Sequence, residues 1–239
     1  MKEKWIKRLD EIEYNFCKRA SYLSTILNLG LKVPQTYVIS DVPIDSGLGM
    51  GRKVLNSIQG ELSEILDESK YYSIRCSKIN ECGLSVPGQV RSSTLSMGSN
   101  AIAKAIEEIW QNSAKAISCG SQEIATVNSS HSMCLMIQEV ISGKFSGAAF
   151  TINPITGKNE VIVEAFGRTP HFPEETNSIP SRWVFKNGKC IQKPATVIPE
   201  ANLIALLAEK ARRISKTTCK AVSLEWACDG EEIFWLQID

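Results

Sequence analysis

Apolar residues recur at helical spacing in three long segments of the chain. Residues 52–69, 100–117 and 202–214 each collect their large apolar side chains on one face, which is typical of amphipathic helices packed on a core. Residues 3–29 mix charged and apolar positions and are predicted to be helical, in one piece or two. Gly30 supplies the stop signal for this helical region.

Short runs rich in β-branched and aromatic residues predict strands between and after these helices. The runs are TYVIS at 36–40, YYSIRCS at 71–77, MCLMIQEVI at 133–141, GAAFTINP at 147–154, EVIVEAFG at 160–167 and RWVF at 182–185. The run at 133–141 is almost wholly apolar, which suits a strand covered on both faces. The stretch from 78 to 97 is predicted to be loop-rich. Helices and strands in one continuous chain indicate an α/β fold.

The C-terminal segment AVSLEWACDGEEIFWLQID (221–239) predicts a β-hairpin. A two-residue turn at Asp229 and Gly230 would place Glu225 and Gln237 on opposite faces of the hairpin. A three-residue loop that adds Glu231 places them on the same face, and the apolar pattern favours this register. A carboxylate and an amide oxygen on one face suit Mg²⁺. An ordinary solvated sheet face fits the same pattern.

Composition excludes several classes of protein. The chain has 239 residues, 43% of them apolar and 22% charged, so it can form a core without disulfides or metal. Lys and Arg total 27 against 26 Asp and Glu, which leaves no overall charge to attract nucleic acid or an anionic membrane. The N-terminus lacks the apolar run of a signal peptide, and no stretch approaches a membrane span. We therefore expect a cytoplasmic protein whose eight cysteines are reduced.

A glycine-rich stretch, SGLGMGRK at 46–53, precedes the first amphipathic segment. Glycines before a helix can bind a phosphate through backbone N–H groups. The stretch matches neither the P-loop pattern nor the dinucleotide fingerprint. A flexible loop is the preferred interpretation.

Five segments of the chain, in the same order, match motifs of one known protein family. SIRCSKINECGLSVPGQ resembles R-S-S-A-x-x-E-D…G-Q, and MIQEVISGKFSGAAFTINPITG is similar to V-Q-x-M-V…S-G-V-x-F-T-x-x-P-x-T-G. SLEWACDGEEIFWLQ resembles I-E-W-A-x-D-G…L-Y-I-L-Q. AIAKAIEEIWQNS is similar to the helix ending in W-A-S, and CKRASYLSTILNLGLKVPQTYVIS to G-G-K-G-A-x-L…G-x-P-V-P-x-G-F-V-I. These five segments therefore resemble the nucleotide-binding domain of pyruvate phosphate dikinase and phosphoenolpyruvate synthase, and the resemblance covers nearly the whole chain.

The resemblance implies an ATP-grasp fold, in which two α/β lobes with mixed and antiparallel sheets enclose a nucleotide cleft. Residues 1–130 would form the N-terminal lobe, and residues 131–239 would form the C-terminal lobe with the adenine hinge and the metal site. ATP and Mg²⁺ are the implied cofactors.

The resemblance also assigns roles to individual residues, by position in the motifs. Lys18 takes the place of a phosphate-contacting lysine, and Arg75 that of an arginine that holds transferring phosphoryl oxygens. These two are the candidate catalytic residues. The segment expected to meet adenine consists of Gln138, Glu139 and Val140, mainly through backbone groups. The Mg²⁺ positions fall on Glu225 and Gln237, which agrees with the hairpin argument.

This chain departs from the family pattern at several positive charges. The double glycine before the lysine is Phe16-Cys17, an arginine seven residues after the tryptophan is replaced by Ile117, and the arginine two residues beyond Gln237 is absent. Nucleotide binding is thus better supported than catalysis.

The phosphoryl acceptor is not apparent in the sequence. Neither His131 nor His171 follows a T-x-G-G motif, so the acceptor would be a phosphohistidine on a separate chain or domain, or a small molecule. The leading interpretation is a dikinase-type ATP-dependent phosphotransferase module. The alternatives are a free-standing ATP-grasp ligase or small-molecule kinase, and a nucleotide-binding regulatory module with impaired catalysis.

Overall fold

The computed structural model describes residues 4–12, 18–43, 51–78, 93–118, 132–167, 179–195 and 199–239. The chain forms two compact units. The first contains residues 1–24 and 35–140, and the second contains residues 25–34 and 141–239. The predicted boundary at 130/131 lies before the strand at 132–139, whereas the contacts place that strand in the first unit because it is hydrogen-bonded to strands on both of its sides.

The first unit contains a five-stranded sheet in the order β1-β2-β5-β3-β4. Its strands are β1 (Ile6–Arg8), β2 (Thr36–Pro43), β3 (Tyr71–Lys78), β4 (Ser93–Met97) and β5 (Ser132–Glu139). All four pairings are antiparallel. The helices α2 (Arg52–Ile65) and α3 (Ser99–Ser118) pack together and form a core with one face of the sheet.

The apolar spacing in α2 and α3 explains this core. Ile58 and Leu62 of α2 and Ile106 and Trp110 of α3 are buried, and they pack with apolar residues that alternate along β2, β3 and β5. The opposite face of β5 is buried as well. The prediction of a strand covered on both faces is therefore confirmed.

The second unit contains a six-stranded sheet in the order β11-β10-β6-β7-β8-β9, again antiparallel throughout. Its strands are β6 (Phe145–Phe150), β7 (Val161–Phe166), β8 (Ser181–Lys186), β9 (Lys189–Gln192), β10 (Ser223–Cys228) and β11 (Ile233–Ile238). The helix α4 (Ala201–Thr218) packs on β6 and β7 through buried residues that include Leu207 and Ala211.

The N-terminal segment differs from its prediction as a helix. A strand, β1, and a 3-10 turn (Leu9–Glu11) precede α1 (Lys18–Asn28). The Glu61 carboxylate accepts hydrogen bonds from the backbone N–H groups of Trp5 and Ile6 at 3.1 and 3.0 Å, and Ile6 is buried opposite Ile39 of β2. These tertiary contacts outweigh the local helical pattern. Gly30 adopts a φ of +72° just after α1, as its stop role requires.

Candidate functional site

The C-terminal hairpin brings Glu225 and Gln237 directly opposite each other on β10 and β11. A register shift within the hairpin, and not the predicted three-residue loop, produces this pairing. Trp226 pairs with Trp235, while the adjacent Glu225 pairs with Gln237. Leu236 is therefore an extra residue in β11, a β-bulge, and it shifts the register by one.

The loop of this hairpin contains four residues, Asp229–Glu232, because Cys228 pairs with Ile233. The Asp229 carboxylate accepts hydrogen bonds from the backbone N–H groups of Glu231 and Glu232, both at 2.9 Å. These bonds hold the pKa of Asp229 below its usual value. Gly230 has a φ of +118°, which favours glycine. The prediction of a three-residue loop was therefore wrong. With a four-residue loop, it is the bulge that places Glu225 and Gln237 on the same face.

Glu225 and Gln237 belong to a row that crosses five strands. The register runs from Gln237 through Glu225 and Ala148 to Glu164 and Arg182. Arg182 Nε lies 2.9 Å from Glu164 Oε1. Because directly opposite residues of antiparallel strands share a face, all five side chains lie on one face of the second sheet.

The other face of this sheet carries α4. The groove between α4 and the sheet is lined by Val161 and Phe185, together with helix residues such as Leu206 and Arg212. Val161 is three residues from Glu164, so the two side chains lie on opposite faces of β7. The polar row thus lies on the face that α4 does not cover.

The residues that match F-T-x-x-P-x-T-G have a structural role. Thr151 Oγ1 accepts a hydrogen bond from the backbone N–H of Val222 at 2.9 Å, just before β10 begins. Asn153 Nδ2 donates to Glu160 Oε2 at 2.8 Å, and Asn153 Oδ1 accepts from the backbone N–H of Ile155 at 3.0 Å. Thr151, Asn153 and Glu160 are all buried. These bonds fix the loop after β6 and the start of the strand that carries Glu225.

In the first unit, the sheet places Arg75 and Gln138 on one face. Arg75 of β3 lies opposite Met136 of β5, and Gln138 is two residues further along the same strand. Such diagonal neighbours are about 7–8 Å apart. Arg75 is only 7% exposed and Gln138 only 2%, and Gln138 Nε2 donates to Thr36 Oγ1 at 3.2 Å.

The backbone of the predicted adenine segment is already hydrogen-bonded. The N–H of Glu139 donates to the carbonyl of Gln35, and the N–H of Val140 donates to the carbonyl of Tyr71, each at 2.9 Å. The Glu139 carboxylate lies 2.7 Å from Lys70 Nζ, and this hydrogen bond raises the pKa of Lys70. The contact of these residues with adenine stays a prediction. Because the two N–H groups are already bonded within the protein, such a contact would be made by carbonyl groups of the segment.

Other predicted residues lie partly or wholly outside the described structure. Lys18 begins α1, but its side chain is outside the described residues, as are His131, His171 and the glycine-rich residues 46–50. No group of three or more His, Cys, Asp or Glu residues within the described part of the chain could hold a metal ion by itself. The helices seen there include none long and apolar enough to cross a membrane.

The donor chemistry of Glu225 and Gln237 fits Mg²⁺. Glu225 is exposed and Gln237 is half-buried, so oxygen atoms on this face are accessible. Mg²⁺ prefers oxygen ligands and is commonly bound by one or two carboxylates together with substrate phosphates and water. Two oxygen-bearing side chains without a complete protein cage match that mode of binding.

A comparison with family models identifies the class of protein. The model of the pyruvate phosphate dikinase AMP/ATP-binding domain matches residues 49–169, just over half of the chain. The chain therefore belongs to this family, and its two antiparallel sheets with flanking helices form an ATP-grasp fold. A search of curated proteins found no match.

Three solved structures align with this chain at low sequence identity. PH1788 from Pyrococcus horikoshii Ot3 aligns with a TM-score of 0.52 and 13% identity, over 92% of this chain and 88% of that one. A RimK-domain ATP-grasp protein from Sphaerobacter thermophilus DSM 20745 has a TM-score of 0.46 and 14% identity, over 94% and 59%. The ADP complex of N5-carboxyaminoimidazole ribonucleotide synthetase has a TM-score of 0.47 and 10% identity, over 94% of this chain and 45% of that one. The chain thus spans less than half the length of the synthetase.

Proposed function

We propose that this chain is a Mg-ATP-binding phosphotransferase module of the pyruvate phosphate dikinase and phosphoenolpyruvate synthase type. The observation that carries the proposal is the direct cross-strand pairing of Glu225 and Gln237 in a chain that belongs to an AMP/ATP-binding family. A bulge is needed to create this pairing, and the pairing supplies the oxygen donors that Mg²⁺ requires.

Each candidate residue has a proposed role. Glu225 and Gln237 hold Mg²⁺, which when bound neutralises the charge of the phosphate oxygens. Arg75 binds the phosphate tail as a fixed cation, and Lys18 contacts the same group. The segment 138–140 contacts the adenine base.

The buried position of Arg75 supports its role with phosphate. A guanidinium keeps its charge at all ordinary pH values, and its interactions are stronger where water is largely excluded. Arg75 is 7% exposed and Gln138 lies diagonally across from it. The first sheet therefore offers a cation and an amide on one face.

The phosphoryl acceptor is proposed to lie outside this chain. A phosphohistidine on a separate chain or domain, or a small molecule, would receive the phosphoryl group. Incubation with Mg-ATP and candidate acceptors, followed by nucleotide analysis, tests the reaction type. Formation of AMP is expected for dikinase chemistry, ADP would indicate a ligase or simple kinase, and binding without turnover would indicate a regulatory module.

Thermal unfolding with and without Mg-ATP tests nucleotide binding first. A ligand that binds only the native state stabilises it by about 2.7 kcal/mol at a hundredfold excess over Kd, so the melting temperature should rise. Glu225→Gln preserves the shape of the side chain and removes its charge, and it should abolish the Mg²⁺-dependent part of the shift. Glu231→Gln, in the exposed loop of the same hairpin, is the matched control and should respond like the wild type. An unchanged melting temperature in the wild type would refute the proposal.

A further inference from the structure

The polar face of the hairpin extends one residue pair beyond Glu225 and Gln237. Ser223 and Asp239 exchange both backbone hydrogen bonds, at 3.0 and 2.9 Å, so Asp239 is held in register with β10. Asp239 is two residues from Gln237, and its side chain lies on the same face. Gln237 Nε2 donates a hydrogen bond to Asp239 Oδ2 at 2.5 Å.

This contact bears on which end of the Gln237 amide can meet a cation. An amide side chain carries one acceptor oxygen and one NH2 donor, and only the oxygen can bind Mg²⁺. Glu225 lies directly opposite Gln237, at a typical Cβ separation of about 4.5–5.5 Å. The carboxylate of Glu225 attracts the NH2 group of Gln237. An amide that donated this group to Glu225 would point its own oxygen away from the metal.

We propose that Asp239 is a positioning residue for the divalent cation. Its carboxylate binds the NH2 group of Gln237 and so leaves Oε1 as the end of the amide that meets the metal. This inference rests on the proposed function, because it concerns the Mg²⁺ held by Glu225 and Gln237.

Asp239 has a second effect that the test must separate from the first. A carboxylate near a cation attracts it through space, whatever the orientation of the amide. Asp239→Asn removes the charge but keeps an oxygen that can accept from Gln237 Nε2. Asp239→Ala removes both the charge and the acceptor. The difference between these two variants therefore reports the hydrogen bond to Gln237.

The experiment measures Mn²⁺ affinity in the presence of saturating ATP, by electron paramagnetic resonance of free Mn²⁺, with the full chain. The two Asp239 variants are made in the wild-type background and again in a Gln237→Ala background. We expect Asp239→Ala to bind Mn²⁺ at least fivefold more weakly than Asp239→Asn when Gln237 is present. The two variants should agree within twofold when Gln237 is replaced, because there is then no amide to orient.

Equal affinities of the two Asp239 variants in the wild-type background would overturn the inference. A fivefold difference that persists in the Gln237→Ala background would also overturn it, since the effect would not pass through the amide. Circular dichroism of each variant shows that the fold is retained. A wild-type chain that binds no Mn²⁺ in the presence of ATP would instead refute the proposed function itself. This outcome is distinguishable from the two above, because in those the wild-type chain binds Mn²⁺.

Discussion

Gly147 of β6 is the position where one added methyl group should do the most damage. A Cβ atom built on Gly147 would lie 1.9 Å from the backbone oxygen of Glu164 and 2.8 Å from its carbonyl carbon. Both atoms belong to the main chain of β7, so no flexible side chain can move aside. The closest approach of real Cβ atoms is about 3.0 Å, and the two strands would have to separate locally by about 1 Å.

The cost follows from the position of these strands in the sheet. β6 lies between β10 and β7, and β7 lies between β6 and β8, so a shift at Gly147 strains pairings on both sides. Overpacking of this kind costs about 1–3 kcal/mol, and each ladder hydrogen bond that is lost adds about 1 kcal/mol. With two ladder hydrogen bonds lost, we expect Gly147→Ala to lower the free energy of unfolding by about 3–5 kcal/mol.

Urea unfolding followed by tryptophan fluorescence measures this loss, because Trp226 and Trp235 are buried in the same sheet. Gly60→Ala is the matched control, since Gly60 lies in α2 with no atom within 4 Å of the added Cβ. The control should gain about 0.5–1 kcal/mol from helix propensity. A Gly147→Ala protein within 1 kcal/mol of the wild type would refute the packing argument.

Three further predictions follow from the geometry. Thr151→Val should cost about 1–3 kcal/mol in urea unfolding, because the buried N–H of Val222 loses its acceptor, whereas Thr151→Ser should cost less since it keeps the hydroxyl. Asp229→Asn should reduce the loss of stability below about pH 4, because a carboxyl whose folded pKa is lowered stabilises the fold above its unfolded pKa and ceases to do so as pH falls; equal pH profiles of melting temperature would contradict this. Arg75→Lys should weaken ATP binding more than AMP binding in calorimetric titrations, because lysine cannot reproduce a bidentate phosphate contact, while equal losses would remove Arg75 from the phosphate tail.

Local patterns were sufficient to predict most elements of the fold. The apolar stripes of α2, α3 and α4 and the β-rich runs of β2, β3, β5, β6, β7 and β8 all appear in the structure within a few residues of their predicted bounds. These elements are recognisable because burial of one face imposes its period on the sequence. The segment at 93–97 was predicted to be loop and forms β4, an edge strand in which Leu95 and Met97 remain exposed. A strand that is stabilised mainly by backbone hydrogen bonds to its neighbour has little hydrophobic pattern in its sequence.

In the candidate site, too, one part was predictable from the sequence and another was set by the tertiary structure. The sequence alone determined that Glu225 and Gln237 lie on strands of one hairpin and predicted that they share a face. Tertiary structure decided how they do so, because the four-residue loop and the bulge at Leu236 are seen only in the pairing of β10 with β11. The strand β1 and the proximity of Arg75 to Gln138 likewise depend on pairing between segments far apart in the chain. Local sequence specifies the period of an element, whereas register and neighbours are set by packing energies summed over the whole sheet.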